Sequence, residues 1–546
     1  MKARALLAAA FAAVLAGAGC SPSGHGADAG RGGRHAWTQP GIVRLGASDE
    51  PDSLDPLYAN TASADQISTL LYAHVFRYDD RGRLLPDLAI AVPTYANGGI
   101  SPDGRTITLH LRHGVRWADG APLDGRDIVF TWHAVMNDRN TVRTRLGWTD
   151  VASMTLPDPY TLVVHMKRVN AAILDTIFGG GGGSAFPPLP AHLLAKLPDL
   201  NHADINVHPL SSGPFELTQW DRGAALTFVP NPRYYRGPAK LTKLIWKIVP
   251  NAETLFQELE THDVDLYDGV PETQVERVAQ LAGIDVQRRL VANWRHLDFN
   301  CRKPLLSDVR VRRAIAQAVD WDRMNQTIYH GVNIRATSDI VPDSWAAPSI
   351  PQWVFDPAAA RRLLDAAGWT PGPGGIRTRG GFSLALTIST GTNKPANEQA
   401  EVQMVAQLRA VGIALAIKNY PVSLLFAQHG PLYGGSYDLS WSVDTNDPEP
   451  DNSGLWSAHY VPPHGANTSF LADPILTRTS EAALLTFDRA KRKALYQQEE
   501  TRIHELAPSV FLYWERSTAA YNSDLKHYRA AEYDLAALWN AHEWEI

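Results

Sequence analysis

Four carboxylates, Asp444, Asp447, Glu449 and Asp451, crowd into residues 444–451 of the segment GGSYDLSWSVDTNDPEPDNSGLW, which spans residues 434–456. Such a cluster invites a metal reading. A hard-cation loop, however, needs oxygen ligands at a defined spacing, and Pro448 and Pro450 interrupt this one, so no metal site is expected. The plain alternative for Asp444 is a turn residue in a loop rich in Asp, Asn and Pro. His429, His459 and His464 are possible transition-metal or nickel-chelate ligands, although with 19 His in the chain surface or core roles are the ordinary expectation. Hydrolase chemistry finds little support. There is no Gly-x-Ser-x-Gly elbow, and His504-Glu505 lacks the second His of a zinc helix because Pro508 stands in its place. The glycine run Gly179 to Gly183 is followed by Pro187, Pro188 and Pro190 instead of Lys-Ser/Thr and a helix, so it reads as a surface loop and not a phosphate cradle.

The two cysteines, Cys20 and Cys301, set the compartment and the means of cohesion. Lys2, Arg4, an apolar run from Ala5 to Leu15 and Ala16-Gly17-Ala18-Gly19-Cys20 read as an export signal over residues 1–20; a bilayer span needs roughly 20 apolar residues. Two processing routes fit. In one, Cys20 is lipidated and becomes the N-terminus, with Ala18 and Gly19 suiting the site and Gly17 departing from the usual Leu. In the other, Ala16-Gly17-Ala18 serves as an ordinary small-x-small cleavage site. Lipidation is the reading adopted, because residues 21–40 begin with the Gly/Ser/Ala-rich stretch SPSGHGADAGRGGR, a flexible tether. With Cys20 lipidated no disulfide can form, packing must hold the protein together, and Cys301 is expected to be buried and inert.

The elements that must position any site follow from pattern. The chain has 546 residues, 45% hydrophobic and 20% charged, enough for several compact units, and its net charge of −6 offers no footprint for nucleic acid. Sixteen Trp are mostly core residues, a few being free to line a cleft. Ile42 to Gly46 begins a strand and a helical stretch surrounds Ile67 to Tyr72. Thr106 to Leu111 alternates as a half-buried strand between turns at 101–104 and 118–122, which makes a mixed α+β region. Beyond residue 290 helices and strands alternate. Val311, Ala314, Ile315, Ala318 and Val319 form one stripe of a helix over 307–319; Asp356 caps and Pro357 starts a second helix that Gly368 closes. A third helix, 396–411, lies between strands at 382–388 and 413–417, a βαβ unit with a parallel return after Gly412. An α/β second half results.

Several blocks in one order resemble the extracellular solute-binding proteins of ABC importers, family 5, the peptide, nickel and opine type. They are Asp52-Ser53-Leu54-Asp55-Pro56, Leu85 to Ala89, SPDGRTITLHLRHGVRWADGAPLDGRDIVF at 101–130 and SSGPFEL at 211–217, where the family more often has Gly-Thr-Gly-Pro. Further on come Asn231 to Tyr235, DVRVRRAIAQAVD at 308–320, Ala360 to Leu364 with Ala367-Gly368, and Tyr437-Asp438. The resemblance covers nearly all of the mature chain. It implies a two-lobed periplasmic-binding-protein type II fold with a ligand cleft between lobes. The first lobe would span 41–290, with an inserted subdomain at about 78–209, and the second 291–514. The segment 515–546 would return to the first lobe, with crossings near Ala292 to Asn300 and Val510 to Tyr521.

The same resemblance implies the site. In oligopeptide binders an Asp pairs with the peptide α-ammonium and a Trp three residues earlier lines the pocket; Asp444 and Trp441 match, with Asn446 and Pro448 following, and Tyr437 joins the ligand-binding set. The physics agrees, because a buried ammonium is costly unless paired and hydrogen-bonded. The implied protein is a non-catalytic receptor without cofactor, a monomer. It takes short peptides to a permease with cytoplasmic ATPase subunits, and its lipid anchor holds it in the periplasm or on the outer face of the cytoplasmic membrane. The competing readings are a binder of nickel complexes, opines or oligosaccharides on the same fold, and a secreted hydrolase.

Overall fold

The computed structural model describes residues 33–180 and 183–546. The export segment, Cys20 and the tether as far as residue 32 lie outside the described residues. One compact unit spans Trp37–Ile546. The tether was expected to reach residue 40, but Trp37 already stacks on His262 with ring centroids 3.8 Å apart, and the Thr38 hydroxyl donates to Asp524 at 2.7 Å. A large ring that finds a partner ends a flexible segment early.

A mixed sheet runs through the unit. Its main strands are β1 (Ile42–Ala47), β2 (Phe215–Asp221), β3 (Ala225–Pro230), β4 (Lys243–Ile248), β5 (Leu266–Asp268), β6 (Ile284–Phe299), β7 (Ala385–Ser389), β8 (Ala414–Ile417), β9 (Leu439–Thr445) and β10 (Ser509–Asn522). Their spatial order is β8-β7-β9-β6-β10-β5-β1-β4-β3-β2. Parallel pairs lie toward each side, β1 with β4 and β5, β7 with β8 and β9. The middle is antiparallel, formed by the two long strands β6 and β10.

Those long strands join two cores. At about 3.3 Å per residue, the 16 residues of β6 extend roughly 50 Å, enough to belong to both. Residues Ile284 to Leu290 pair with Arg516 to Asn522, Trp294 to Asp298 pair with Ser509 to Trp514, and the register shifts between Leu290 and Trp294. Such a shift bends and twists the ladder at the point of crossing. On one side Val43, Leu45, Phe228, Leu244, Trp246 and Trp544 pack together; on the other Leu297, Phe299, Leu386, Leu439, Trp441 and Leu512 do. The C-terminus returns to the first of these, where the Gly41 amide donates to the Ile546 carbonyl at 3.1 Å. A third core, built around the antiparallel strands Thr106–His110, Val151–Asp158 and Thr161–Met166, draws on residues from Leu57 to Ile205.

The helices of the second lobe sit where their stripes and caps require. Helix α1 (Val309–Ala318) is capped by Asp308, which accepts from the Arg310 amide at 2.9 Å, and it buries Val311, Ala314, Ile315 and Ala318. Helix α2 (Pro357–Ala366) starts on Pro357, with the Ala359 amide donating to Asp356 at 2.7 Å; Gly368 follows at φ +82°. Helix α3 (Pro395–Ala410) leads into Gly412 at φ +92°, and β8 returns parallel to β7. An L side chain is strained at such φ values, so glycine is what lets the chain leave each helix. Cys301 is buried, and burial pushes its thiol up to about 11.

Candidate functional site

Strand β9 lies between β7 and β6 and divides its side chains between two environments. Leu439 and Trp441 enter the second core. Ser440, Ser442 and Asp444 pair across the strands with Asp298, His296 and Trp294 of β6, so all six share the opposite face. There His296 Nδ1 lies 2.8 Å from Asp298 Oδ1, and His296 Nε2 lies 3.5 Å from Asp444 Oδ2. Burial works against charge on His296, but Asp298, Asp444 and Asp339 outweigh it and raise its pKa. Burial raises the pKa of Asp444 in turn, against the pull of His296, with Asp298 and Asp339 adding to the rise. The Asp444 side chain is nevertheless 39% exposed.

Beyond the strand the chain is pinned residue by residue. The Asn446 amide donates to the Ala292 carbonyl at 2.9 Å and the Trp294 indole donates to Asn446 Oδ1 at 2.8 Å. Asn446 Nδ2 donates to the Asp339 carbonyl. The Asp339 carboxylate accepts from the Trp456 indole at 2.6 Å and from Asn452. Glu449 pairs with Arg492 of helix α4 (Arg489–Leu506), which also donates to the Tyr496 hydroxyl at 3.0 Å. Burial pushes Glu449 up to about 8, with Arg492 opposing. Loops fixed in this way hold a site on rigid elements at low reorganisation cost.

Two cavities meet at Asp444. The larger, about 400 Å³, lies between the lobes. Its second-lobe wall is Asp339 with the segment 444–452; its other wall includes Tyr78, Asp175, Gly180 and Gly183, with Leu535 from the C-terminal segment. The Tyr78 hydroxyl donates to Asp175 at 2.9 Å, and burial pushes Asp175 up to about 6 despite that bond. The smaller cavity, about 70 Å³, has aromatic walls in Trp294, Phe426, Tyr433 and Trp456 and a polar floor of His296, Asp298 and Ser442. A recessed chamber with a carboxylate at its branch point is suited to holding a small cationic group and one adjoining side chain.

The ligand residues expected from sequence divide accordingly. Asp444 and Asn446 come together at the larger cavity. Trp441 does not join them: it is 1% exposed in the second core, with its ring 6.3 Å from that of Trp321. The reason is the strand, in which a spacing of three puts two residues on opposite faces. Tyr437 is also buried, among Leu425, Leu432 and Phe470, its hydroxyl donating to the Thr468 carbonyl at 2.7 Å. The glycine run needs correcting. Instead of a surface loop, Gly179 and Gly180 are buried and Gly180 and Gly183 line the cavity. A Cβ on Gly179 would stand 2.5 Å from the Tyr78 hydroxyl, and one on Gly180 would stand 3.1 Å from the Arg77 Cα. Sequence reasoning missed His296, Asp175 and Tyr78. The polar alternation Trp294-x-His296-x-Asp298 inside an otherwise apolar strand was the available signal for the first.

Known proteins of similar sequence and shape fall into one group. The family described as bacterial extracellular solute-binding proteins, family 5 Middle, matches residues 86–462. The oligopeptide-binding protein AppA of Bacillus subtilis is 23% identical over 516 residues, covering 93% of this chain and 92% of that protein. Its structure in complex with a nonapeptide superposes with a TM-score of 0.72 at 22% identity, over 93% of this chain and 99% of that one. NikA from Brucella suis in complex with Fe(III)-EDTA gives a TM-score of 0.79 at 23% identity, over 92% and 99%.

Proposed function

The chain belongs to the bacterial extracellular solute-binding proteins of family 5, and from that premise we propose that it captures short peptides between its lobes and delivers them to an ABC permease driven by cytoplasmic ATPases. The observation that carries this reading is Asp444: a carboxylate held on a strand paired along its length, partly exposed, at the branch of the two cavities. An ammonium entering there exchanges water for a charge-assisted hydrogen bond, which offsets its desolvation. Asn446 holds the loop that frames it. The smaller cavity takes a side chain next to the ammonium. Trp441 and Tyr437 support the wall from behind.

Capture on this reading is a hinge equilibrium. The lobes divide near residues 291 and 515, where β6 and β10 cross, with the inserted subdomain at about 78–209 and the shift between Leu290 and Trp294 at the bend. A peptide that touches both lobes favours the closed form by its differential affinity for it, and the permease reads that form. The role is binding without catalysis or cofactor. Cys20 is the lipid attachment point of an exported monomer tethered beside its permease, for which an acyl anchor with more than one chain gives stable attachment.

Mass spectrometry of solute extracted from the natively purified protein tests the reading. Short peptides with free N-termini are expected; recovery of a metal chelate, an opine or an oligosaccharide instead overturns it.

A further inference from the structure

The charge of the larger cavity is one-sided. Six carboxylates line it, Asp175, Asp339, Asp444, Asp447, Glu449 and Asp451, and the described lining residues include no Lys, Arg or His. Among the described residues Glu449 alone of the six pairs with a guanidinium, that of Arg492. One α-ammonium at Asp444 leaves Asp175, Asp339, Asp447 and Asp451 without a cationic partner among the described residues.

Asp447 stands out among them. Among the described residues it has no hydrogen-bond or ion-pair partner, desolvation by the surrounding protein raises its pKa, and its charge raises that of Asp175. It is exposed to the cavity and not buried in the wall. Behind the wall the strain of like charges continues. Both carboxyl oxygens of Glu499, a fully buried residue, lack a hydrogen-bond partner among the described residues, and Asp339 and Asp451 push its pKa further above the level that burial sets. Beside Asp444, His296 Nε2 is likewise buried without a hydrogen-bond partner among the described residues, in an ion pair with that carboxylate at 3.5 Å. Carboxylates gathered in a recess raise one another's pKa, and a cation placed among them relieves every member at once.

We propose that the cleft selects peptides with a basic side chain, holding the α-ammonium at Asp444 and a Lys ammonium or Arg guanidinium at Asp447 beside Asp175. This rests on the peptide-receptor reading and narrows it to a cationic substrate class. An anionic peptide of equal length meets the same wall as repulsion.

Calorimetry on the mature chain decides it. The probes are Ala-Lys-Ala and Ala-Ala-Lys, their norleucine counterparts, which keep the side-chain length and lose the ammonium, and the N-acetylated forms of each. The preferred Lys peptide should bind on the order of tenfold to a hundredfold more tightly than its norleucine counterpart, as for a hydrogen-bonded charge pair. Asp447→Asn should remove that ratio. Equal binding of Lys and norleucine peptides to the unaltered protein overturns the proposal, as does a preference that survives in Asp447→Asn. If that variant fails to fold, Asp175→Asn and the unaltered protein's own ratio give the same decision. The outcomes separate the two claims: indifference to Lys with sensitivity to N-acetylation sinks only the basic-side-chain subsite, whereas indifference to N-acetylation sinks the placement of the α-ammonium.

Discussion

The two faces of strand β9 present one sequence to two solvents. On one, Leu439 and Trp441 are fully enclosed among the aliphatic and aromatic side chains of the second lobe. On the other, Ser440, Ser442 and Asp444 share a polar surface with His296 and Asp298, and Asp444 opens onto the cleft. The contrast shows how a lobe can be both rigid and receptive: the packed face fixes the strand, and the fixed strand holds a carboxylate where water would otherwise disperse it. It also separates stability from binding, since each function has its own face.

The packed face is the place to break the comparison hardest. Trp441→Ala should destabilise the protein by about 3–5 kcal/mol, the ordinary cost of emptying a Trp site in a core. Thermal or urea unfolding measures it, and the fraction that remains folded should bind peptides with unchanged affinity. A Trp441→Ala protein that stays fully stable and loses peptide affinity would return Trp441 to the ligand.

Behind the cleft face the carboxylates act on stability through pH. Burial holds Glu500 well above the usual carboxylate range, with Asp339 adding to the shift. Below pH 4.5, the ordinary value, Glu500 is protonated in folded and unfolded chains alike, and its contribution is fully present. As pH rises, the unfolded chain ionises first, so the folded state loses stability by up to about 1.4 kcal/mol per pH unit until Glu500 itself titrates. Glu500→Gln should flatten that slope and make the protein more stable than the unaltered chain at pH 7 to 8, read from urea midpoints across pH. An unchanged slope would mean that the group ionises freely.

A smaller effect is expected at the facing wall. Gly179→Ala brings a Cβ to 2.5 Å from the Tyr78 hydroxyl and 2.7 Å from the Asp175 carbonyl. Overpacking of this kind costs about 1–3 kcal/mol. It should lower peptide affinity as well, because Tyr78 and Asp175 line the cavity, whereas an alanine in a true surface loop would alter neither quantity.

What could be read from sequence was local. The helix at 309–318 announces itself through Asp308 and the stripe of Val311, Ala314, Ile315 and Ala318; Pro357, Gly368 and Gly412 mark ends by their backbone geometry; and two apolar runs around a helix gave the parallel pair β7 and β8. Asp444 and Asn446 were legible through resemblance to a known segment. Trp441 was assigned by the same resemblance, but strand parity turns it into the core, and parity needs the strand's limits to be known first. Tyr437 joined the ligand set by resemblance and lies buried, and its neighbour Asp438 accepts from the Thr387 amide at 2.9 Å and hydroxyl at 2.8 Å, tying the loop to β7. Asp175, Tyr78, Gly180 and Gly183 escaped because they meet residues 444–452 only through the fold, and nothing local in a Gly-rich stretch distinguishes a loose loop from a backbone pressed against a neighbour.

The account turns on one charge pair, and one cycle tests it: calorimetry of a free peptide and its N-acetylated form with the unaltered protein and with Asp444→Ala. Acetylation should weaken binding to the unaltered protein on the order of tenfold to a hundredfold and should matter little once Asp444 is gone, because the two changes remove the same interaction. If the losses simply add, with acetylation as costly in Asp444→Ala as before, Asp444 does not hold the ammonium.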